Sequence, residues 1–180
     1  MPGTGRWRAA AAGRPARRQR PRGGRDAGLA VDPDFATNRH LYTCFLSNLS
    51  RVRTTWRVVR WTVDAATTSI TGRADILTSL PVSATSVGRH SGCRLPFGPD
   101  GYLWVTAGDA ATGTNPQDPQ SLGGKILRVD RDGDPAPGNM GPPFRPEIYS
   151  YGHRNRRVSP SGRATARRTR SSTGRTATTR

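Results

Sequence analysis

Two residue groups between His90 and Asn155 have types and spacing suited to chemistry, and a sharp turn lies between them. The stretch opens with His90-Ser-Gly-Cys93-Arg94-Leu95 and passes through Phe97-Gly-Pro99-Asp100-Gly101. It closes with Tyr151-Gly-His153-Arg154-Asn155. His90 is a proton acceptor, since an imidazole takes up and releases a proton near neutral pH, although a lone histidine before a glycine turn is by itself more often structural. Arg154-Asn155 is an arginine–asparagine pair at the far end of the same segment. His153 reads as a structural turn histidine.

Other motif-like strings fail on spacing. Asp130-Arg-Asp132-Gly-Asp134 has its glycine too early for a calcium loop, at position 4 instead of 6, and position 12 is Gly141 where a glutamate is required, so a β-turn is expected. Gly124-Lys125 lacks the earlier glycine and the following Ser or Thr of a phosphate loop. Neither Cys44 nor Cys93 has a second cysteine or a histidine at zinc-site spacing, so no metal site is assigned. The two cysteines could bridge in an oxidising compartment or be small buried hydrophobes. The apolar run around Cys44 favours the second for that residue.

The elements that must position these residues read as β. Leu41–Leu46, Trp56–Val63, Leu103–Thr106 and Lys125–Val129 are short apolar or β-branched runs bounded by Pro, Asp, Asn and Gly. No window of about 11 residues shows helical spacing with a cap and a stop. A repeat is also present. Leu29-Ala-Val-Asp-Pro33-Asp34 and Leu95-Pro-Phe-Gly-Pro99-Asp100 share one pattern 66 residues apart, and each precedes a new strand. Strand, Pro-Asp turn and strand at a fixed period is the pattern of β-propeller blades. Residues 26–155 have room for about two blades and part of a third.

Charge divides the chain in three. Residues 1–25 and 156–180 each hold eight arginines and no acid, whereas 26–155 nearly balances, so the formal +17 belongs to the ends. Such blocks repel themselves and lack apolar content to offset ordering entropy, so both ends are expected to be disordered. Clustered arginine could bind phosphate backbones, yet aromatic residues do not interleave with it except at Trp7. The Arg, Ala, Gly, Pro, Ser and Thr alphabet without lysine fits out-of-frame translation of a GC-rich gene better. Nucleic acid is therefore not expected as a partner. No window resembles a secretory signal, and none approaches the ~20 apolar residues of a membrane helix, so a soluble chain with no visible export signal is expected.

Taken together, Gly28-Leu-Ala-Val-Asp-Pro-Asp-Phe35, His90-x-x-x-Arg94-Leu95, Phe97-Gly-Pro-Asp-Gly101, Gly123-Gly-Lys-Ile-Leu-Arg128 and Gly152-His-Arg-Asn155 resemble the glucose/sorbosone dehydrogenases. The resemblance covers about residues 26–155. It implies an all-β chain, a partial six-bladed β-propeller of two to three blades with disordered arginine-rich ends. It implies oxidation of an aldose sugar by pyrroloquinoline quinone (PQQ) with calcium, and an external electron acceptor. His90 would be the general base on the anomeric hydroxyl, with hydride passing to the C5 carbonyl carbon of PQQ, and Arg154 and Asn155 would hold the quinone. The family is periplasmic or secreted. Cys93 departs from the family's small residues before Arg94, and the calcium ligands have no match here. The fragment is therefore expected to be inactive; a non-catalytic remnant or an arginine-tailed nucleic-acid binder is the alternative.

Overall fold

In the computed structural model, residues 28–50, 53–84 and 89–155 are described. The expected disorder of 1–25 and 156–180 lies outside them. The described residues form two four-stranded antiparallel sheets, each in simple sequence order. The first contains β1 (Gly28–Val31), β2 (His40–Ser50), β3 (Arg53–Val63) and β4 (Ile70–Leu80), and the second β5 (Cys93–Arg94), β6 (Leu103–Ala107), β7 (Lys125–Val129) and β8 (Ile148–Ser150). One short helix, α1 (Phe35–Asn38), interrupts the turn between β1 and β2. This is the arrangement expected of two consecutive blades.

The repeat marks equivalent places in the two sheets. Its first copy joins β1 to β2 and its second joins β5 to β6. In the second copy the Asp100 carboxylate accepts the Tyr102 N–H at 3.2 Å, and Gly101 takes a positive φ of 78° to close the turn. In the first copy the capping carboxylate is Asp32, which accepts the Asp34 N–H at 2.9 Å. Asp34 instead turns outward to Arg131.

Alternation explains the packing. Tyr42, Cys44, Trp56 and Val58 point from the first sheet into a shared core. Leu103, Val105, Leu127, Val129 and Ile148 meet them from the second. The Tyr42 and Phe97 rings cross that interface edge to face, with centroids 5.2 Å apart. On the far side of the first sheet, Leu29, Val31 and Ile70 are exposed.

Two features depart from the sequence expectations. The cysteines form a disulfide, Cys44–Cys93, with Cα atoms 6.2 Å apart, tying β2 to β5 across the two sheets. Both are buried, but Cys44 is bonded and not the free buried hydrophobe that its apolar run favoured. Strand β4 lies outside the apolar runs that mark strands in the sequence. Its register with β3 shifts at three places, so Ile76 and Leu77 are buried side by side and the period of two is lost.

Asp130 Oδ1 accepts the N–H groups of Asp132 and Asp134, both at 2.9 Å. The acidic string is thus the expected turn, with its first carboxylate used by its own backbone.

Candidate active site

The site lies where the edges of the second sheet run out into loops. After β6 the chain enters a long connection, residues 108–124, before β7. The β5–β6 pairing persists past the strand ends: Gly108 N–H donates to Gly92 O and Ala110 N–H to His90 O, both at 3.2 Å. His90 and Asp109 are thereby brought together from opposite strands. A Cβ at position 108 would collide with the His90 carbonyl oxygen, so glycine is required there.

His90 Nδ1 lies 2.8 Å from Asp109 Oδ1. Their side chains are 17% and 9% exposed, so the pair is largely shielded while the imidazole keeps an open edge. An Nδ1–H donated to that carboxylate would leave Nε2 as the lone-pair nitrogen. The Ala111 N–H also donates to Asp109 Oδ1 at 2.7 Å, fixing the carboxylate.

Arg154 and Asn155 join this pair from the far end of the described chain. The Arg154 carbonyl accepts the Asp109 N–H at 2.8 Å, and Asn155 Oδ1 accepts the Gly92 N–H at 3.1 Å. Using Oδ1 on the histidine loop leaves the Asn155 Nδ2 amide as the group able to donate outward. The Arg154 side chain is exposed. His153 Nε2 lies 2.9 Å from Ser150 Oγ and its N–H donates to Gly124 O, both local structural contacts.

His90 and Asn155 meet through their side-chain loop contacts and Arg154 joins through its backbone carbonyl alone, and the structure adds a fourth residue, Asp109. Little in the residue pattern marks it: an acid after Ala107-Gly108 at a strand end is a common turn pattern, and its partner is 19 residues away. Backbone strain concentrates here as well. His90, Ala110 and Ala111 have φ of 50°, 56° and 58°. Each left-handed non-glycine residue costs of order 1–3 kcal/mol and persists only where surrounding contacts over-determine it.

The donor chemistry bears on the implied groups. A guanidinium and a primary amide suit a quinone bearing carboxylates. Among the described residues, no cluster of three or more His, Cys, Asp or Glu could hold a metal ion.

The fold and site define two blades of a β-propeller bearing a histidine–carboxylate pair beside an arginine–asparagine pair. Comparison with known proteins agrees: residues 3–171 match the Glucose / Sorbosone dehydrogenase family, and the chain belongs to it. The PQQ-bound aldose sugar dehydrogenase of Streptomyces coelicolor is similar at 35% identity and a TM-score of 0.62, over 74% of this chain and 38% of that one. An oxidoreductase (glucose dehydrogenase) of Thermus thermophilus is 38% identical with a TM-score of 0.64, over 74% and 40%. The aldose sugar dehydrogenase YliI of Escherichia coli is 29% identical over 71% of this chain and 34% of its own length. The chain thus spans about a third of that curated relative. The family match runs into both arginine-rich ends.

Proposed function

We propose that this chain supplies the proton-accepting and quinone-holding part of a site that oxidises an aldose at its anomeric carbon. One observation carries the reading: the His90–Asp109 pair and the Arg154–Asn155 pair share one hydrogen-bonded cluster in a chain of the sugar dehydrogenase family. His90 Nε2 takes the proton of the anomeric hydroxyl as the carbon gives up its hydride. Asp109 holds the imidazole in the tautomer that leaves Nε2 bare and stabilises the imidazolium that forms. Arg154 and the Asn155 amide bind carboxylate or quinone oxygens. PQQ, when bound, would supply the two-electron sink at its C5 carbonyl carbon, to be reoxidised by an external acceptor. No step is assigned to calcium.

Two contact residues make a partial site, so the 180-residue chain is expected to bind PQQ without turnover. Titration of the chain with PQQ, followed by absorbance, tests this. Saturable binding should weaken about 10–100-fold in Arg154→Ala, the loss of one charge-assisted contact. Absence of saturable binding, or binding indifferent to Arg154→Ala and Asn155→Ala, would reject the proposal. Aldose-dependent dye reduction by the chain itself would overturn the expectation of inactivity, and would have to fall with His90→Ala.

A non-catalytic remnant or an arginine-tailed nucleic-acid binder remains the alternative, resting on the sixteen terminal arginines. A salt-sensitive shift in the mobility of duplex DNA, with no PQQ binding, would favour it.

A further inference from the structure

Lys125 is the one lysine of the chain, and it is fully buried. Its ammonium donates to three backbone carbonyls: Asn115 O at 2.6 Å, Gly123 O at 2.9 Å and Pro116 O at 3.2 Å. Among the described residues, no carboxylate is ion-paired with it. Three carbonyls match its three N–H donors, so the charge is fully hydrogen-bonded without a counter-ion. Burial lowers the lysine's proton affinity, and the charge of Asp118 acts against that. A charge kept in such a place requires a task there, because an apolar side chain would fill strand β7 at no desolvation cost.

The residues on those carbonyls lead to both halves of the site. Asn115, whose carbonyl Lys125 holds, donates from Nδ2 to Asp109 O at 2.9 Å. Pro116 O, which Lys125 also holds, accepts the Gly152 N–H at 3.1 Å. The neighbouring Gly124 O accepts the His153 N–H at 3.0 Å. One branch ends on the residue whose carboxylate lies beside His90, and the other on the segment that presents Arg154 and Asn155. The strained pair Ala110–Ala111 lies within the first branch.

We infer that Lys125 is a positioning residue: an internal cation that locks the 108–124 connection and so sets both the Asp109–His90 pair and the Arg154–Asn155 segment. The inference deepens the proposed function and rests on that reading for its chemical meaning. Its geometric content is independent of PQQ.

The test is nitrogen-15 NMR of the full chain with hydrogen exchange on the same samples. Every sample is run at the same pH, about two units above the ordinary histidine value. In the wild type, His90 should show one tautomer with its proton on Nδ1, assigned by loss of the signal in His90→Gln. In Lys125→Met, of similar length and uncharged, that signature should become a mixture of tautomers. The Gly152 and His153 amides should exchange about ten-fold faster or more. Asn115→Ala cuts only the first branch, so it should change the His90 ring and leave the two amides at wild-type rates. That second variant also keeps the test decisive if Lys125→Met fails to fold. An unchanged His90 ring in folded Asn115→Ala, or equal effects of it on both branches, would overturn the inference. Failure of PQQ to bind the wild-type chain would instead strike the proposed function and leave these signals to decide the role of Lys125.

Discussion

At the scale of single residues, the site depends on backbone that its sequence does not favour. Gly108 cannot be enlarged because the His90 carbonyl stands where a side chain would go. Gly108→Ala is expected to destabilise the chain by at least about 3 kcal/mol in a urea melt, since backbone rather than a flexible side chain must move. Ala111, by contrast, holds a positive φ that glycine adopts freely. Ala111→Gly should therefore stabilise by roughly 0.5–1 kcal/mol, the relieved strain exceeding the added chain entropy. A melt of Ala111→Gly no more stable than wild type would show that contacts around the loop already remove that strain.

At the scale of elements, two devices hold the sheets together. The Cys44–Cys93 bridge closes a separation of 49 residues. On a chain-entropy account, its removal costs about 4 kcal/mol. Thermal unfolding of Cys44→Ala/Cys93→Ala should shift accordingly, and reductant should lower the wild-type midpoint to match. The second device is polar. Asp32 is buried just after β1, and the Arg131 guanidinium reaches it from the β7 end of the other sheet at 3.0 Å. The Tyr42 hydroxyl donates to Arg131 O at 3.2 Å and lies 3.3 Å from Asp32 Oδ2.

Titration of this cluster limits stability from both sides. Burial alone would raise the Asp32 carboxyl, but Asn38, the Asp34 N–H and the Arg131 guanidinium together hold it below the usual carboxylate range. Its contribution is then complete above the ordinary value of 3.8 and is lost as pH falls through the lower folded value. Tyr42 is pushed up to about 12 by burial and then by the Asp32 charge. The unfolded tyrosine ionises first, so stability falls as pH rises from 10 towards 12. Urea melts across pH should show both limbs, with Asp32→Asn flattening the acid one and Tyr42→Phe the alkaline one. Persistence of the alkaline limb in Tyr42→Phe would assign it elsewhere.

At the scale of the whole molecule, one face of the first sheet stays unpartnered among the described residues. Leu29 and Val31 on β1 and Ile70 on β4 are 67%, 53% and 59% exposed. Strand β1 is also the edge of its sheet, with ladder groups facing outward. An apolar face beside an open edge favours association. Light scattering should report concentration-dependent assembly that Val31→Lys reduces, and a chain that stays monomeric when concentrated would contradict this.

Local signals made much of this legible. The four apolar runs and the Pro-Asp repeat are local in sequence, and each became a strand or the turn beside one. The family resemblance of the blocks around them, more than residue identity, singled out His90, Arg154 and Asn155. Strand β4 was hidden because its bulges break the alternation that periodicity detects. Cys44 showed its burial but not its bond, because pairing depends on a partner 49 residues away.

What the sequence by itself determined was the kind of fold, the placing of its turns and the residue types available for proton and anion chemistry. Those follow from side-chain alternation, proline and aspartate turn chemistry, and functional-group identity, all of which act over a few bonds. Only the tertiary structure decided that Asp109 serves His90, that Lys125 is an internal cation and that Asn155 closes onto Gly92. Their longest hydrogen bonds join residues 19, 10 and 63 positions apart, respectively. Such partners are fixed by how the sheet edges and loops meet, which no local pattern of residues records.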